Sequence, residues 1–151
     1  MNEALLMAHV ALGVFCIVAS VWVFVDVLNA GEGNQARIRI VSRCIAAAMW
    51  GAFVIAGYWY VKFYPVDKAI ILKGRWPFAH SFFMETKEHL VIILLLLTNY
   101  LPIAAANNLA MNPGARKLLL WTAALVALLG LAMEGEGAII AMGVKVSLLP
   151  K

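Results

Sequence analysis

Three histidines and four glutamates stand inside or at the edges of long apolar runs: His9, His80, Glu85, Glu88, His89, Glu134 and Glu136, with Lys87 among them. Burying such groups is expensive unless they are paired or used, so their placement is the first clue to chemistry. On one helix Glu85 and His89, four apart, share a face, and Glu88 stands about 60° from Glu85. His80 and His89 are nine apart, about 180° round a continuous helix, and cannot serve one ligand unless the helix breaks. His80 instead shares its face with Met84 and Lys87. A site facing inward would therefore use His89 with Glu85, or His80 with Lys87.

Two chemistries fit these residues. The first is haem b held between helices, with His9 as one axial imidazole and His89, or His80 in its place, as the other. Basic side chains such as Lys87 would receive propionates, Gly13 and Gly130 would leave room for the macrocycle, and Met7 or Met133 is a further axial candidate. The second is a compact transition-metal or proton site built from His9, Glu85, His89, Glu134 and Glu136. The diiron pattern is Glu-x-x-His, and Glu85-x-x-x-His89 departs from it. A structural reading stands beside both: these groups anchor span ends or pair with one another, with Lys87 or His89 as partners of Glu134 and Glu136. Asp26 and Arg43, at facing ends of consecutive spans, read as a structural ion pair. The remaining methionines read as packing residues. No Ser nucleophile motif, phosphate loop or HExxH is present.

The elements that must position these groups follow from composition. Of 151 residues 64 % are hydrophobic and 13 % charged, about half the charge of a soluble domain. With a mean hydropathy of +0.89, this excludes a soluble globular enzyme, a disordered chain and a nucleic-acid-binding module. The net charge of +4 comes from Lys and Arg confined to the gaps between apolar runs, where they suit anionic headgroups. Cys16 and Cys44 form no framework spacing and read as reduced core residues.

Runs of about 20 apolar residues cross a bilayer. Four are present, over about 4–28, 41–63, 78–109 and 116–144, joined by linkers too short to form domains. The fold class is all-α: one up-down bundle of four transmembrane helices with an interfacial middle linker. That linker, from Tyr64 to Pro77, alternates apolar and basic residues and is expected to lie along the membrane surface. Helix three, if it starts at Pro77, is longer than the bilayer is thick, and Pro102 is expected to kink it. The chain opens without Lys or Arg before residue 37, unlike a cleaved signal, so the first span is read as retained. Tyr58, Trp59 and Tyr60 form an interfacial belt. Arg37, Arg39, Arg43, Arg116 and Lys117 fall on one side, and the termini and middle linker on the other, which is read as the outside of a bacterial inner membrane.

The stretch Met7-Ala8-His9-Val10-Ala11-Leu12-Gly13-Val14, followed by Ser20-Val21-Trp22, resembles the opening helix of small bacterial membrane haem proteins of the CopD-like and HemJ-like type. Thr86-Lys87-Glu88-His89-Leu90-Val91 resembles their lysine-bearing helix. The likeness covers about a third of the chain, and Met133-Glu134-Gly135-Glu136-Gly137 departs from it. What the resemblance implies is a four-helix membrane protein holding haem b near its outer face. The expected function is then electron transfer, as a subunit of a respiratory or quinone-reactive complex. The alternatives are a metal- or proton-handling membrane subunit and a non-catalytic assembly subunit. Lipid, a membrane-protein partner or a second copy are the expected partners, with no nucleic acid.

Overall fold

The structure, a computed structural model, describes residues 2–150. The chain is helical throughout and forms an integral membrane bundle: α1 (Asn2–Leu28), α2 (Glu32–Lys62), α3 (Tyr64–Lys73), a π-helical segment (Ala79–Met84) running into α4 (Glu85–Ala105), and α5 (Pro113–Leu148). Four of these are long and apolar enough to span: Glu3–Leu28, Glu32–Lys62, Ala79–Ala105 and Pro113–Leu148. Packing is cyclic. α1 lies against α2 and α5, α4 lies against α2 and α5, and α1 and α4 stand on the diagonal.

Several boundaries differ from the apolar runs. α2 begins at Glu32, before the charge-free stretch, because Asn34 caps Gly31 and its amide also reaches the Asp26 and Asn29 carbonyls. Asp26 pairs with Arg37 rather than Arg43, through two bonds of 2.7 and 2.8 Å. Arg37 lies one turn into this early helix, within reach of the end of α1. The third span ends at Ala105, not 109. α5 runs unbroken through Glu134-Gly135-Glu136-Gly137 to Leu148. The middle linker folds as α3, which buries Tyr64 and Ile71 and leaves Val66, Lys68, Leu72 and Lys73 exposed. Cys16 is buried and donates towards the Ile45 carbonyl, whereas Cys44 is exposed.

One end of the bundle is sealed by polar side chains on backbone carbonyls. Gln35 and Arg39 of α2 both donate to the Ala105 carbonyl, with further bonds to Asn107 and Ala106. Arg116 of α5 donates to the carbonyls of Val27 and Leu28. The final carbonyls of a helix have no intrahelical partner and carry its negative pole, so these cations satisfy both needs at once. This is the arginine end.

Two apolar cores are present. The larger fills the spanning region, with Cys16, Val23, Ile45, Leu94, Leu101, Leu119 and Val126 at its centre. The smaller lies at the opposite end, where Tyr64, Ile71, Ala79, Met84 and Ile140 are packed by Trp59, Tyr60, Trp76 and Phe83. It forms a cap from the end of α2, α3, the π-helical segment and the end of α5.

Candidate functional site

Glycine decides how the ionisable residues meet. On α1, Gly13 lies one turn after His9, and a Cβ there would overlap the Glu134 carboxylate of α5. Its absence lets Glu134 lie against α1. On α5, a Cβ at Gly137 would come within 2.9 Å of Lys87 Nζ. The bare backbone admits the α4 lysine, which donates to the Met133 carbonyl at 3.0 Å. Lys87 stands within electrostatic range of Glu134 and Glu136, and His9 within range of Lys87 and Glu134.

Glu136 is the most enclosed acid of the group. It is 9 % exposed, and its Oε2 is buried with no hydrogen-bond partner among the described residues. His9 is fixed from another side, with Nδ1 bonded to the Ala52 carbonyl of α2 at 3.0 Å. As a donor there, Nδ1 leaves Nε2 as the free acceptor. Four helices therefore contribute: α1 and its imidazole, α2 and its carbonyl, α4 and its ammonium, α5 and two carboxylates.

These groups share one level of the bundle. At 1.5 Å per residue, His9 lies about 26 Å along α1 from Asp26, Lys87 about 27 Å along α4 from Ala105, and Glu134 about 27 Å along α5 from Arg116. The hydrocarbon core is roughly 30 Å thick. With the arginine end at one boundary, the charged layer sits just inside the other, beneath the cap.

The other candidates lie elsewhere. His89 is exposed on the outer side of α4, its Nδ1 bonded to the Glu85 carbonyl at 2.6 Å. It lines a surface groove of about 350 Å³ with Ser81, Phe82, Glu85, Thr86 and Leu90. Glu88 accepts from the Tyr60 hydroxyl at 2.6 Å. His80 is buried in the cap, its Nδ1 bonded to the Tyr64 hydroxyl at 2.9 Å. The π-helical segment carries it, and the wider turn changes the angle between His80 and His89 from that of a continuous α-helix. They still do not converge: one is enclosed and the other faces outward.

The residues do not fit a haem clamped within one chain. His89 faces outward on α4 while His9 is half-buried against α2, and His80 lies apart from both, enclosed in the cap. The spaces beside Gly13 and Gly130 are filled, by Glu134 and by Ile17. Met7 is 65 % exposed, turned away from the interior. Nor do His9, Glu85, His89, Glu134 and Glu136 form one metal-ligand set: among the described residues no three His, Cys, Asp or Glu gather closely enough to hold an ion. The half-buried Lys87 is the partner that the sequence offers for Glu134 and Glu136, and its reach to α5 depends on Gly137.

No family model, no curated protein and no solved structure matches this chain. The resemblance to the CopD-like and HemJ-like proteins therefore rests on His9 and Lys87 and the stretches around them.

Proposed function

We propose that the chain is a proton-handling subunit of the bacterial inner membrane, with His9, Lys87, Glu134 and Glu136 as one proton-holding unit at the bilayer boundary. The observation that carries this reading is the buried Glu136 carboxylate oxygen, without a hydrogen-bond partner among the described residues and in range of the half-buried Lys87 ammonium. The unit contains two carboxylates against one Lys. In a medium of low dielectric an unbalanced charge is costly, and one additional proton neutralises the set. We assign that proton to the set as a whole, held among Glu134, Glu136 and His9. A neutral carboxyl at Glu136 is also far cheaper to enclose than a carboxylate.

A proton site at one boundary can serve a neighbouring subunit. We assign it to a larger membrane assembly, with the exposed polar face of Ser81, Glu85 and His89 as the side open to a partner. The arginine end faces the cytoplasm in this reading, from the tight cluster Arg37, Arg39 and Arg43 after the first span and the N-terminal stretch free of Lys and Arg. The termini and cap are then outside.

Infrared spectroscopy of the protein in lipid nanodiscs tests the assignment. The protonated-carboxyl stretch changes with pH in the wild type, and Glu136→Gln removes that change, because Glu134 and Lys87 then balance. A pH-independent spectrum, or a band untouched by Glu136→Gln, contradicts it.

A further inference from the structure

At the arginine end, the seam between α1 and α5 opens to the outside as a groove of about 260 Å³, lined by Val27, Leu28, Pro113, Arg116, Lys117 and Leu120. Its space equals that of roughly nine waters at about 30 Å³ each, enough for part of one lipid and too little for a protein element. Apolar side chains make most of the wall, and the two cations stand at the rim of α5. Their roles differ. Arg116 is held by the carbonyls of Val27 and Leu28 and fixes the seam. Lys117 is exposed and, among the described residues, has neither a hydrogen-bond nor an ion-pair partner.

Position adds to composition. Arg37 is neutralised by Asp26, while Arg39 and Arg116 serve helix carbonyls that keep their negative ends. Lys117 is left as the free cation of the groove, at the level where headgroups lie. Trp121, one turn further on the same face, is 60 % exposed, as expected of a ring seated at a membrane interface. A ligand fitting both features has a negative headgroup at the level of Lys117 and a hydrocarbon chain running along Leu120 towards the bilayer centre.

We propose that this groove is a binding site for one anionic phospholipid, its phosphate on Lys117 and an acyl chain against Val27 and Leu120. A basic pocket between membrane helices is the expected receptor for such a headgroup. The site is independent of the proton unit, which lies at the other boundary.

Native mass spectrometry of the full chain, released from nanodiscs of phosphatidylglycerol or phosphatidylcholine, reads the preference. The wild type retains one phosphatidylglycerol in preference to phosphatidylcholine. Lys117→Gln lowers that preference about fivefold, the worth of one cation near an anionic surface, and Lys117→Arg keeps it. Leu120→Trp fills the groove without altering charge and lowers retention of either lipid. Equal retention of both lipids by the wild type overturns the proposal, as does a preference that Lys117→Gln does not move or a retention that Leu120→Trp does not lower. Displacement of the bound lipid by millimolar inorganic phosphate also overturns it, because the groove would then be a site for a free anion.

Discussion

Tyr64 and His80 are the clearest case of a residue pair that the structure explains and the pattern of the chain does not. Both are buried, and the phenol and Nδ1 are bonded at 2.9 Å. Burial pushes the Tyr64 phenol up, so it stays protonated through the ordinary range and the bond persists. Tyr64→Phe leaves a buried imidazole nitrogen unpaired, and we expect a loss of about 1–3 kcal/mol in unfolding free energy, read by denaturant titration in mild detergent. Asp67 is shifted in the same direction, but in the acid range. Desolvation pushes its carboxyl up in the folded chain, so the folded state binds the proton more tightly than the unfolded state. Stability is then lost as pH rises through the carboxylate range. Asp67→Asn should raise the melting temperature at neutral pH, with the gain vanishing below the ordinary carboxylate range. A constant difference across pH would contradict this. In the sequence, the run from Tyr58 to Tyr64 reads as an interfacial belt; Tyr60 and Tyr64 instead stack at 5.1 Å and help build the cap. Residue type placed these rings near the membrane edge, while only the turn at Phe63 directs Tyr64 inward.

At the scale of helices, the four spans were legible because lipid demands long apolar runs. Their facing was not. In a soluble bundle the polar side of each helix reveals its orientation, but here lipid-facing positions such as Val18, Leu96 and Leu128 are as apolar as the core. The sequence could therefore not choose between Lys87 and His89 as the partner of Glu134 and Glu136. Nor did it reveal the π-helical segment, which has no signature in Ala79–Met84. Glycines in α5 resolve the point by experiment. A methyl group added at Gly135 would meet nothing within 4 Å, so Gly135→Ala should stabilise the helix by about 0.5–1 kcal/mol. A methyl group at Gly143 would meet the Ala79 Cβ at 2.7 Å, and Gly143→Ala should cost about 1–3 kcal/mol by forcing α5 from the cap. Gly137→Ala meets only the flexible tip of Lys87, so the fold survives and the proton unit is displaced. Melting curves should show a gain for Gly135→Ala, little change for Gly137→Ala and a loss for Gly143→Ala; a uniform response would show that α5 does not pack as described.

Across the whole molecule, a spanning core and an aromatic cap meet at a charged layer. The composition and the grouping of His9, Lys87, Glu134 and Glu136 at one end were visible in the sequence, because up-down topology alone carries them to the same face. Which of the eight ionisable residues at that end act together was not, since it depends on Gly13 and Gly137 letting side chains from α5 and α4 cross the seams. The central claim is that two carboxylates and one ammonium form a unit neutralised by one shared proton. Lys87→Met tests it most directly. With the ammonium gone, neutrality requires a second proton, and the pH-dependent carboxyl signal in the infrared spectrum should gain a second protonated group, which Glu136→Gln in the same chain removes again. A Lys87→Met spectrum indistinguishable from that of the wild type would show that Lys87 and the two glutamates are independent, and would contradict the shared proton.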